Sequence, residues 1–182
     1  MVLILGAALA QQTGDLVFHE STSSQAAFLK VATGSRYTHV GVVVVEDGQR
    51  WVYEAVQPVQ RTRYDAWVDR GVDDHVVLLR PKTALTEDQQ ATLTAYVKSQ
   101  LGKDYDALFA WTDDTMYCSE LVYKAYAEAG VTLVPLRTFG DYDLSDPQVQ
   151  QLIAARWGPR FDEDAEVVGP ADLMESPYLE RL

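Results

Sequence analysis

The sequence predicts an α+β domain, and three observations carry that reading. Residues 38–56, "THVGVVVVEDGQRWVYEAV", form two β-branched and aromatic runs around Asp47-Gly48, the dipeptide suited to a two-residue hairpin turn. Residues 85–102 and 118–130 carry helix-spaced apolar positions and end at Gly102 and Gly130. Strands and helices come in separate runs rather than in strand–helix–strand alternation, which points to an antiparallel sheet with helices packed against it.

Taken in order, "VLILGAALA" (2–10) is apolar and ends in small residues, as a signal-peptide cleavage region does, but no Lys or Arg precedes it. Residues 1–11 are therefore assigned as a signal-peptide remnant or N-terminal extension, and 12–182 as one domain. A periplasmic or secreted protein is the expectation, with a cytoplasmic one as the alternative. "GDLVFHES" (14–21) reads as a strand after a Gly-Asp turn. "SSQAAFLKVATG" follows as a helix capped by Ser23 or Ser24 and stopped by Gly34. After the hairpin, "HVVLLRP" (75–81) is a third strand. Thr86 and Gln89 have the spacing of a capping box at the head of the next helix. Residues 134–147 read as loop, Asp146-Pro147 opens a short helix, and "FDEDAEVVGPADL" (161–173) holds a short strand and a Pro-led turn.

Composition narrows the function. Fifteen Lys and Arg against 27 Asp and Glu give a net charge of −12, a surface that repels phosphate backbones, so nucleic acid is not an expected partner. One cysteine permits no intramolecular disulfide and no Cys-based zinc site. The three histidines have neither His-Glu-x-x-His nor His-x-His spacing, so no metal or cofactor is expected. The apolar N-terminal run is too short to span a bilayer as a helix.

The single cysteine, Cys118, stands where an amphipathic helix begins. As a residue it is either a small buried filler or a thiol whose anion the helix N-terminus favours. A nucleophilic thiol needs a base, and the hairpin singles out one. If Asp47-Gly48 is the turn, Glu46 faces Gln49, and counting back puts Gly41 opposite Glu54 and His39 opposite Val56. Side chains alternate, so His39 and Glu54 are diagonal neighbours on one face, while Val40, Val42, Val44, Trp51, Tyr53 and Ala55 form the packing face. A carboxylate beside a histidine fixes its tautomer and stabilises the imidazolium. His75, after two aspartates, is the alternative base; His19 has no acidic partner of similar geometry. The stretch 102–117 is rich in aromatics and acids. Tyr105, Phe109, Trp111 and Tyr117 read either as core or as cleft wall. Asp104, Asp106, Asp113 and Asp114 read either as turn residues or as receivers of a cationic group. Asp15 and Tyr37 are ambiguous in the same way.

The segments "GDLVFHESTSSQ", "YTHVGVVV", "VYEAVQPV", "LGKDYD", "WTDD", "YCSELVYK", "DLSDPQVQ" and "VVGPADL" together resemble, in this order, the YiiX/YebB-like proteins, a permuted branch of the NlpC-type papain-like cysteine hydrolases. The resemblance runs from about Gln12 to about Leu173. It implies a permuted papain-like fold in which the histidine precedes the cysteine, with Cys118 as nucleophile, His39 as base and Glu54 as the residue that orients it. It also implies a peptide, small-molecule or lipid-derived substrate and a cleft walled by 104–117 and 134–146. Asp15, Tyr37, Tyr105, Trp111 and Tyr117 are the candidate substrate contacts. Three activities fit: amide hydrolysis on a peptide or amino-acid conjugate, acyl transfer or ester hydrolysis on a lipid, and binding without catalysis on a retained fold.

Overall fold

The structure is a computed structural model and describes residues 11–23 and 26–182. The apolar run 2–10 and the Ser24 cap lie outside the described residues. In chain order the elements are β1 (Leu16–His19), α1 (Ala26–Thr33), β2 (His39–Glu46), β3 (Gln49–Glu54), β4 (Gln60–Arg63), α2 (Tyr64–Val68), β5 (Val76–Pro81), α3 (Glu87–Ser99), α4 (Cys118–Glu128), β6 (Arg137–Thr138), α5 (Pro147–Arg156), β7 (Glu166–Val167), α6 (Pro170–Met174) and β8 (Leu179–Arg181). Six strands form one antiparallel sheet in the order β4-β3-β2-β1-β5-β8, and β6 and β7 pair separately.

The hairpin has the expected register, from Glu46↔Gln49 through Val42↔Tyr53. Asp47 (φ 48°) and Gly48 (φ 73°) both lie in the left-handed region that a type I′ turn requires. With that register fixed, the two faces of the sheet separate. Leu16, Phe18, Val40, Val42, Val44, Tyr53, Ala55, Val77 and Leu79 point into the main core, which α1, α3, α4 and the C-terminal segments cover. Val17, Val43 and Val52 point the other way and are covered by Trp67 of α2. Helix α3 carries the expected capping box between Thr86 and Gln89, and Asp146 caps α5 by accepting from Gln148 N at 2.7 Å.

Strand β4 and helix α2 were not apparent in the sequence. "QRTR" has no apolar residue to show alternation and is an edge strand, where only one side of the backbone needs a partner. Helix α2 is five residues long, too short for periodicity to register.

Candidate active site

Helix α4 begins at Cys118, preceded by Tyr117 in extended backbone (φ −106°, ψ 166°). Glu120 reaches back to accept from Tyr117 N at 3.2 Å and holds the first turn in place. Burial pushes the Glu120 carboxyl up to about 7, although Lys124 pairs with it at 2.8 Å. Leu121, Val122, Ala125 and Tyr126 seal the helix against the sheet. The thiol is therefore buried at a helix N-terminus, next to first-turn N–H groups that have no partner within the helix.

His39 opens β2 and lies beside Cys118, close enough for the thiol to act on the ring. Its Nε2 lies 2.7 Å from Glu54 Oε2, so the hairpin brings the two residues together as the register requires. With Nε2 engaged, Nδ1 is the ring nitrogen left for the thiol. Burial works against the imidazolium, but the bond to Glu54 and the neighbouring Cys118 outweigh it and raise the ring's pKa.

Glu54 is fully buried and satisfied at four points. Oε2 accepts from His39 and from Trp67 Nε1 (2.9 Å), while Oε1 accepts from Thr62 Oγ1 (2.6 Å) and from Arg70. Burial alone would raise this carboxyl; the donors and the guanidinium lower it well below the usual carboxylate range. Trp67 also stacks on His19 at 4.1 Å. His19 faces His39 across the β1–β2 ladder, with ring centroids 5.2 Å apart. Its ring is held neutral, its pKa lowered to about 3 by burial and by the neighbouring His39 and Arg70. Thr62, Trp67 and Arg70 were missed in the sequence because the elements that carry them were missed. A Thr and a Trp among arginines were the only signal.

Two cavities flank the Cys118–His39 pair, one lined by Cys118 and the other by His39. One is apolar and narrow, with a free volume of about 30 Å³, and reaches Cys118 between Phe28, Leu29, Phe109, Phe139 and Val167. Its hydroxyls are all turned to protein acceptors: Thr33 to Leu29 O, Ser119 to Val168 O and Tyr142 to Asp172. The other is wider, about 380 Å³, and the more polar of the two, lined by His19, Ser21, Thr38, His39, Arg70 and Tyr105 among others. Tyr105 lies close enough to Cys118 for the thiolate's charge to act on it, and burial together with that charge keeps its hydroxyl protonated.

Of the five candidate substrate contacts, only Tyr105 lines either cavity. Asp15 is locked to Arg80 through two 2.7 Å hydrogen bonds. Tyr37 bonds His75 at 2.9 Å, and His75, the alternative base, lines neither cavity. Trp111 packs on Tyr123 under Lys124. Tyr117 is buried, its hydroxyl accepting from Val168 N. The four aspartates of 104–114 line neither cavity: Asp104 accepts from Gln57, Asp106 is buried and Asp113 pairs with Lys124. The cavity beside His39 has no carboxylate wall.

Residues 10–182 match the family model of the permuted papain-like amidases, YaeF/YiiX, family C92. The chain is 37% identical over 169 residues to the uncharacterised protein YiiX of Escherichia coli K12, covering 92% of this chain and 84% of that protein. The crystal structure of metalloprotein YiiX from E. coli O157:H7 superposes with a TM-score of 0.90 at 37% identity, over 94% of this chain and 96% of the other.

Proposed function

Because the chain belongs to the YaeF/YiiX family of permuted papain-like amidases, we propose that it cleaves an amide bond by nucleophilic catalysis at Cys118, with an apolar acyl group on the cysteine side of the scissile bond. The observation that carries this reading is the apolar cavity that reaches a buried thiol beside the His39–Glu54 pair.

His39 takes the thiol proton on Nδ1 while Glu54 holds Nε2, and the resulting imidazolium sits between two anions. The thiolate attacks the acyl carbon, forming the C–S bond. The carbonyl oxygen becomes an oxyanion that meets the Cys118 backbone N–H and the Tyr105 hydroxyl. Collapse breaks the C–N bond, and His39 returns its proton to the departing amine. Water, deprotonated by His39, then attacks the thioester; the C–S bond breaks and the carboxylic acid leaves. Among the described residues no group of three or more His, Cys, Asp and Glu side chains could share an ion. No step is routed through one.

The same cavity suits an acyl ester, with an acceptor alcohol or amine replacing water in the second half. The test is hydrolysis of aminocoumarin amides with acyl chains from acetyl to dodecanoyl, with and without hydroxylamine as acceptor. Activity should rise at least about tenfold from acetyl to a medium chain, since each buried methylene contributes about 0.8 kcal/mol. Cys118→Ala and His39→Ala should each lose about a thousandfold or more. Chain-length indifference would remove the acyl assignment, and activity retained in Cys118→Ala would remove the nucleophile. Acyl hydroxamate formed in preference to acid would establish transfer over hydrolysis.

A further inference from the structure

The proton donor decides which side of the thiol the leaving group occupies. The imidazole must reach the departing nitrogen, so the amine lies on the His39 side, in the polar cavity, and the acyl group lies in the apolar one. The walls of the polar cavity are unusual for a chain with a net charge of −12: no carboxylate lines it. Beside the neutral His19 and the base His39, its one charged side chain among the described residues is Arg70, which is 41% exposed although it also donates to Glu54. A guanidinium has five N–H donors in a planar fork; one nitrogen bonds Glu54, and the side chain also lines the cavity, so donors remain for a ligand. The other polar groups there are hydroxyls, the Gln57 amide and His19, whose buried Nδ1 has no hydrogen-bond partner. Glu20, next to the Ser21–Ser23 rim, is already paired with Lys30 at 2.6 Å and Arg36 at 3.3 Å.

We propose that this cavity is a leaving-group subsite for an amine that carries a carboxylate, recognised by Arg70, so that the substrates are amides between an apolar acyl group and an amino acid. The assignment rests on His39 being the proton donor of the reaction proposed above. A cationic amine would meet the Arg70 guanidinium and the protonated His39, with no carboxylate in the cavity wall to receive it. A carboxylate meets a charge-matched fork at the edge of a water-excluding site.

Three matched compounds test this with the full chain: N-decanoylglycine, its neutral analogue N-decanoylglycinamide, and the cationic N-decanoylethylenediamine. The glycine conjugate should be hydrolysed with kcat/KM about tenfold or more above the glycinamide, as a charged hydrogen bond allows, and the cationic compound should be the poorest. In Arg70→Gln the ratio of the first two should fall towards one, and Arg70→Lys should keep part of it. Using the ratio cancels any loss from weaker support of Glu54, and the wild-type ranking needs no variant at all. Calorimetry on Cys118→Ala should show the glycine conjugate binding about tenfold tighter than the glycinamide. Hydrolysis with no preference, or a preference that survives Arg70→Gln, overturns the subsite and leaves the reaction standing. Carboxylate-selective binding without turnover keeps the subsite and overturns the hydrolase reading. Neither turnover nor selective binding overturns both.

Discussion

Glu54 shows how one buried charge organises a site. A carboxylate taken out of water is costly unless every lone pair is met, and here four donors meet it, two on each oxygen. Arg70 supplies the compensating positive charge, so His39 is free to alternate between neutral and charged forms. Glu54→Gln keeps the shape but reverses the logic: its amide NH2 must face donors, and Arg70 loses its counterion. The variant should lose about 3 kcal/mol of stability by urea unfolding, in the range for breaking a buried pair, and most of its activity. A cost below about 1 kcal/mol, that of an exposed pair, would show that Glu54 is not charged and four-coordinate in solution.

The elements matter through register and close approach. The β2–β3 hairpin places His39 and Glu54 on one face only because the turn falls at Asp47-Gly48; a slip of one residue would send them to opposite faces. Gly41, next to this pair, is glycine for lack of room. A Cβ there would come within 2.3 Å of Val52 Cγ1 and 3.1 Å of Tyr53 O, and a stiff valine has no way to swing aside. Gly41→Ala should therefore cost about 1–3 kcal/mol in urea unfolding, the usual range for overpacking, and should lower activity by spreading the strands beneath Glu54. Unchanged stability would mean that the hairpin is looser here than the packing implies. Strand β4 and helix α2 are short, yet they carry Thr62 and Trp67, and Arg70 follows directly after α2.

At the scale of the molecule, the buried polar groups tie stability to pH. His19 has a folded pKa lowered to about 3 from an ordinary 6.5, so the unfolded chain binds the extra proton first. Its contribution is fully present above pH 6.5 and is lost as pH falls towards 3, with a slope of up to about 1.4 kcal/mol per pH unit, that of one proton. His19→Gln should flatten the stability profile between pH 6.5 and 3 relative to wild type; parallel profiles would place a charged His19 in the folded state. Much of this molecule was legible in its residues. The valine run, the Asp-Gly turn and the helix stop at Gly130 determined the hairpin, its register and the helix that begins at Cys118, because local pattern and backbone preference act over a few neighbours. From those alone His39 and Glu54 fall side by side. What surrounds them was decided by tertiary structure. Thr62, Trp67 and Arg70 reach Glu54 from elements with no periodic signature. Tyr105 faces a cavity, while Asp15, Tyr37, Trp111 and Tyr117, equally plausible by type, are spent on structural bonds and packing. The acids of 104–114 turn away from a cleft that is instead lined by a guanidinium. Local pattern says which way a side chain points from its own strand or helix; only the meeting of distant segments says what it points at.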